Sequence, residues 1–158
     1  MYGATDYARK TRKGRAKNAK VNMNRRLARE TAFKLLFEGS FHTEKDALEL
    51  YETALAAQEW EDDDYVREVF LGATARKDEL DALIEKHSHG WKKSRISTVS
   101  LSILRLACYE MLAREDIPYQ VSINEALELV KNYDEEAARA FVNGILHAVA
   151  TELGRAKA

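Results

Sequence analysis

Cysteine occurs once in this chain, at Cys108, and proline once, at Pro118. A lone cysteine excludes an internal disulfide and any cysteine-rich zinc site, and it suits a reducing compartment. Near-absence of proline, with little Val and Ile beside plentiful Ala, Leu, Glu, Lys and Arg, favours helix throughout. No run of about 18 apolar residues is present, so no segment reads as a membrane span. There is no Gly-rich phosphate loop, no strand alternation and no internal repeat. What remains is a chain of 158 residues whose 46% hydrophobic content is ordinary for a folded protein. That length suits one domain, or two small halves sharing a core.

The net charge of −1 conceals a strong asymmetry. Residues 1–26 hold nine Lys or Arg and one acid, Asp6, for a net +8, leaving −9 on the remainder. A basic arm on an acidic body points to a polyanionic partner for the arm. The arm lacks the apolar stretch of a secretory signal, and residues 1–22 have too few large apolar residues for an amphipathic targeting helix. Residues 1–23 therefore read as a basic, disordered arm, which either adds general phosphate attraction (Lys20 among its contacts) or is a solvated tail. The folded domain is expected over 24–154, in halves of about 24–90 and 91–154.

Apolar spacing predicts six helices, three in each half. The first runs from about Asn24 to Gly39, with Ala28, Thr31, Ala32 and Leu35 on one face. Phe33, Phe37 and Phe41, spaced by four, form a second apolar ridge that must be covered by the rest of the chain or by a partner. Further helices are expected at Glu44–Gln58 and, unbroken, at Tyr65–His87. Between Ser97 and Leu112 apolar residues surround the axis, the pattern of a buried central helix. Arg105 and Glu110 inside it are expected to be paired, because an isolated buried charge is too costly. Ser122 to Glu125 has the form of a capping box that starts the fifth helix, and Asp134 is placed to cap the sixth.

Nothing in this layout assembles a catalytic site. Cys108 lies in the most apolar helix, where a cysteine behaves as an inert core residue. His87 and His89 are two apart and face different ways on a helix, without further ligand candidates for a metal. The chain reads as a binder: not an enzyme, with no cofactor and no metal. Arg25, Arg26 and Arg29 at the start of the first helix would give fixed, directional contacts to phosphate, while Tyr133 and Tyr109 are candidates either for base stacking or for core packing.

Three segments carry a family resemblance. They are Arg25–Phe37 (RRLARETAFKLLF); Ile103–Leu112 (ILRLACYEML); and Val121–Lys131 (VSINEALELVK) followed by Phe141–Leu146 (FVNGIL). In this order and spacing the chain resembles the NusB family of transcription antitermination factors, over about residues 24–150. The resemblance implies an all-α fold of two packed antiparallel three-helix bundles with a basic N-terminal arm. It also implies binding to single-stranded boxA RNA of ribosomal RNA transcripts, jointly with the ribosomal protein NusE, within a cytoplasmic RNA polymerase antitermination complex. By position, Arg25, Arg26 and Arg29 match the family's RNA-contacting start, Tyr133 an aromatic of its RNA-facing region, and Phe37 and Phe41 positions facing the ribosomal protein. Phe33 is then the intramolecular member of the ridge. Asn124, Asn143 and Gly144 are expected to be structural, Gly144 through close approach of another element. Two departures stand out: Ser100 replaces an acid usual in the family, which puts an acidic partner contact there in doubt, and residues 1–22 are additional. The competing readings are the NusB-like module of a ribosomal RNA methyltransferase, which predicts an α/β cofactor domain downstream, and a helical protein–protein adaptor with an incidental arm.

Overall fold

The computed structural model describes residues 23–57, 61–90 and 95–156. Among them are seven helices and no strand: α1 (Arg25–Gly39), α2 (Ala47–Ala57), α3 (Asp64–Ala75), α4 (Lys77–Lys86), α5 (Thr98–Ala113), α6 (Tyr119–Tyr133) and α7 (Ala138–Glu152). The all-helical expectation holds, with one helix more than the apolar spacing suggested. The expected Tyr65–His87 helix breaks at Arg76 (φ −105°, ψ 22°), between α3 and α4. Apolar positions continue across the break, so periodicity alone does not reveal it.

The chain divides into two compact units, the first ending at Leu71 and the second beginning at Gly72. Contacts far apart in sequence account for that boundary. Arg105 of α5 donates from Nε and Nη2 to the two carboxylate oxygens of Asp81 on α4, at 2.7 and 2.9 Å, and both side chains are buried. Gly72, near the end of α3, lies against the ring of Tyr109 on α5. These two contacts bind the end of α3 and all of α4 to the central helix.

In the first unit, Asn24 caps α1 by accepting a hydrogen bond from the Leu27 N–H at 2.8 Å. Asp46 accepts from the Glu49 N–H at the start of α2, which places Glu44 and Lys45 in the preceding turn instead of in the helix. Asp63 accepts from the Val66 N–H at the start of α3. The buried residues of α1 are Ala28, Arg29, Ala32, Phe33, Leu35 and Leu36. The Tyr51 ring of α2 stacks with that of Phe70 at 6.5 Å, and its hydroxyl donates to Asp62. Burial, then that hydrogen bond, push the Tyr51 phenol well above its ordinary range.

The second unit is organised on α5, where every residue from Ser100 to Met111 is buried. Both internal charges have partners, as expected. Arg105 has Asp81, and the Glu110 carboxylate accepts from the Ser122 hydroxyl at 2.8 Å. That second bond overturns the capping box. Pro118 occupies the cap position with a φ of −59°, α6 starts one turn earlier than expected, and Ser122 turns inward within the helix. Proline fixes the φ required there and lacks the N–H that a helix start leaves unpaired, while the buried Glu110 carboxylate requires a donor. Asp134 likewise does not cap α7; it ends α6, and its carboxylate accepts from the Glu135 N–H at 2.8 Å. Gly144 is exposed on α7, and a Cβ added there would meet nothing within 4 Å, so close packing does not account for it.

Cys108 is buried in α5, and burial, with a smaller contribution from the Asp81 carboxylate, pushes its thiol up to about 12. Such a thiol stays protonated and unreactive at neutral pH. His87 is engaged elsewhere: its Nε2 lies 2.7 Å from Glu152 Oε1, which Lys86 also approaches at 3.0 Å. These two partners, Lys86 first, hold the Glu152 carboxyl below its ordinary range.

The contact at Gly72 makes a direct prediction. A Cβ added there would lie 2.6 Å from Tyr109 Cε1, against a ring that is itself buried. Gly72→Ala is expected to lower the unfolding free energy by about 1–3 kcal/mol, the usual range for overpacking. Tyr109→Leu in the same chain should recover part of that loss, measured by urea unfolding followed by circular dichroism. If Gly72→Ala is as stable as the parent, α3 and α5 do not approach each other this closely.

Candidate nucleic-acid interface

The Asn24 cap sets Arg25 and Arg26 as the first two residues of α1, with Arg29 one turn further on. The first turn contains no acid. A helix N-terminus carries positive partial charge and is ordinarily decorated with Asp or Glu; cations there oppose the dipole by roughly 0.3–1 kcal/mol each. A local rule broken twice in succession marks a place where stability is spent on something else. Arginines added to the helix dipole favour an anion at this end of α1.

The three arginines are not equivalent. Arg25 and Arg26 are exposed, whereas Arg29 is 6% exposed and belongs to the buried face of α1. Arg29 lies on the inner face of α1 beside Ala28 and Ala32, where its guanidinium offers little surface to a phosphate. The aromatic ring of Tyr65, in the first turn of α3, organises the pair at Arg25 and Arg29. The Arg25 guanidinium carbon lies 4.4 Å from the ring centroid and that of Arg29 5.9 Å, both within cation–π range. Tyr65 escaped the reading of the sequence because its spacing marks it only as the start of an amphipathic helix. Lys20 lies outside the described residues.

In the same unit the phenylalanine ridge grades from buried to open. Phe33 is buried, Phe37 half-buried and Phe41 60% exposed, with ring centroids 6.4 Å apart for Phe33 and Phe37 and 5.1 Å for Phe37 and Phe41. Phe41 stands in the turn after α1 and not on the helix itself, its N–H bonded to the Glu38 carbonyl. No other large apolar side chain among the described residues is as exposed.

The second unit carries Tyr133 as the last residue of α6, 36% exposed. Tyr109, by contrast, is buried against Gly72, so its role is packing and not stacking on a base. Beside the α6–α7 junction a cavity of about 310 Å³ is lined by Arg95, Ser97, Ser100, Asp134, Ala138 and Phe141, a volume at the lower end of ligand pockets. Ser100 is buried, and its hydroxyl donates to Asp134 at 2.5 Å. The position where the family's acid is replaced thus still has a carboxylate against it, brought from the end of α6. Among the described residues no group of three or more His, Cys, Asp or Glu is placed to hold a metal ion. No helix among them is long and apolar enough to cross a membrane.

Comparison with known proteins agrees with this layout. The NusB family model matches residues 26–151. The transcription antitermination protein NusB of Acetivibrio thermocellus is 46% identical over 125 residues, covering 78% of this chain and 86% of that protein. Among solved structures, NusB of T. maritima superposes with a TM-score of 0.75 at 35% identity, covering 84% of this chain and 94% of that one. A crystal structure of the antitermination factors NusB and NusE in complex with double-stranded RNA matches with a TM-score of 0.72 at 27% identity, over 81% of this chain and 96% of the matched one. With a family match across most of its length and a relative at this identity, the chain belongs to the NusB family of transcription antitermination proteins.

Proposed function

We propose that the chain is a non-enzymatic antitermination factor that binds single-stranded boxA-like RNA of ribosomal RNA transcripts, jointly with the ribosomal protein NusE, within a cytoplasmic RNA polymerase complex. The observation that carries the reading is the pair Arg25 and Arg26, both exposed in the first turn of α1, a turn that contains no acidic residue. Basic side chains on a fixed helix supply phosphate contacts, and the exposed ring of Tyr133 supplies a stacking surface of the kind single-stranded RNA readers use. A related NusB has been crystallised with NusE and double-stranded RNA, which supports NusE and RNA as partner classes. Arg29 takes a supporting role from its burial. The folded part serves as a single RNA-binding domain over about 24–154, and residues 1–22 add general phosphate attraction.

Phe41, with Phe37 behind it, is assigned to the ribosomal protein. A large exposed aromatic edge-packed on a half-buried one is the arrangement of an interface anchor. Phe41→Ala should weaken binding to NusE by about 2 kcal/mol or more, while leaving the unfolding transition within about 0.5 kcal/mol of the parent. Calorimetric titration checks the first value and urea unfolding the second; an unchanged affinity would remove Phe41 from the interface.

The function is tested by light scattering behind gel filtration on the chain mixed with NusE and a boxA-type RNA oligonucleotide. A co-eluting complex with one copy of each is expected, and no such complex with a scrambled RNA. Equal complex formation with both RNAs would contradict the boxA reading and favour the plain adaptor.

A further inference from the structure

We propose that Tyr65 is a positioning residue of the nucleic-acid interface: its π face holds the Arg25 guanidinium in the orientation that receives a phosphate. The inference rests on the RNA-binding role given to Arg25 above. Three observations meet at this ring. Tyr65 is 5% exposed, fixed in the first turn of α3, whose start is capped by Asp63 through the Val66 N–H at 3.0 Å. Arg25 is exposed, yet its guanidinium carbon is 4.4 Å from the centroid of this buried ring. Arg29 approaches the same ring at 5.9 Å from the buried side of α1.

An arginine at the first position of a helix would otherwise sample many rotamers, and immobilising it on binding would oppose association. A ring beneath the guanidinium restricts that freedom beforehand. The attraction acts on the delocalised charge, so the in-plane N–H donors stay available for a phosphate oxygen. The buried Arg29 adds a second cation–π contact to the same ring. The ligand class is a phosphodiester backbone, since a guanidinium held in this way presents a planar fork of donors and no acceptor.

The test uses the full chain and a boxA-type single-stranded RNA oligonucleotide, with anisotropy titrations across a salt series. Tyr65→Phe keeps the π face and should bind within about twofold of the parent. Tyr65→Leu should weaken binding by about three- to tenfold, the range of an exposed to partly desolvated cation–π contact. It should also make the salt dependence shallower, as Arg25→Ala does, and the double variant Arg25→Ala/Tyr65→Leu should lose no more than Arg25→Ala alone. If Tyr65→Leu does not fold, Tyr65→Met takes its place, filling the space with a flexible chain that has no π face.

A parental salt slope in Tyr65→Leu, or losses that add to those of Arg25→Ala, would mean that the ring only supports the fold, and would overturn the inference while leaving the RNA reading intact. If Arg25→Ala itself binds like the parent, the RNA-binding role of Arg25 fails and the inference falls with it.

Discussion

Asp81→Ala is expected to lower the unfolding free energy by about 3–5 kcal/mol, a large share of the stability of a protein this size. Arg105 lies in the buried stretch of α5 from Ser100 to Met111, and its Nε and Nη2 donate to the two carboxylate oxygens of Asp81 at 2.7 and 2.9 Å. Removing the carboxylate leaves the guanidinium in an apolar interior, where the cost is its unmet solvation and not merely the lost contact. Replacing both partners, as in Asp81→Leu/Arg105→Met, removes the stranded charge and should cost far less than Asp81→Ala alone. Urea unfolding of the parent and the two variants provides the comparison. A loss below about 1 kcal/mol in Asp81→Ala would show that water reaches Arg105 and that the pair is a surface contact in effect. Because this pair ties α4 to α5, its loss should also raise hydrogen exchange first in α4.

The second large effect concerns binding. Neutralising Arg25 and Arg26 together should make the dependence of log affinity on log salt shallower by about 1.4, at about 0.7 per phosphate contact on a single strand. At 0.1 M salt the same loss of counterion release corresponds to an affinity lower by about 25-fold. Arg29→Ala should behave differently. Its side chain is buried beside the Tyr65 ring, so the variant should lose stability while largely keeping the salt slope. A slope in Arg29→Ala as shallow as that of an Arg25 or Arg26 single variant would restore Arg29 to the phosphate contacts. It would also require α1 to open on binding.

These expectations show where the sequence was legible. Helix α5 is plain in the sequence because apolar residues surround it, and its internal charges announce their need for partners before those partners are known. The ridge of Phe33, Phe37 and Phe41 is visible at a spacing of four, although only the structure shows that burial fades along it and that Phe41 stands beyond the helix end. The misreadings share one physical cause. Ser122 has the form of a cap in local sequence, but the Glu110 carboxylate twelve residues away claims its hydroxyl. Asp134 looks like the start of α7, but Ser100, thirty-four residues earlier, bonds it at the end of α6. Tyr65 is one more apolar helix position until Arg25 is found above its ring. Local rules decide which segments become helices, while tertiary partners decide which polar groups are drawn inward, and the candidate interface is made of such groups.

Unequal exposure of the arginines also refines what the family resemblance implied. Position by position, three arginines matched an RNA-contacting start. The fold separates them into two that face solvent and one that is packed inside. On the proposed reading the phosphate-binding face would be narrower than the motif, and it would use a ring from α3 that the motif does not contain.

The most direct measurement is fluorescence anisotropy of a labelled boxA-type RNA and a scrambled RNA of equal length, titrated with the chain in the presence and absence of NusE at two salt concentrations. The account predicts tighter binding to the boxA-type RNA, a further gain for that RNA alone when NusE is added, and weaker binding at the higher salt. Equal affinity for the two RNAs, unchanged by NusE, would contradict it.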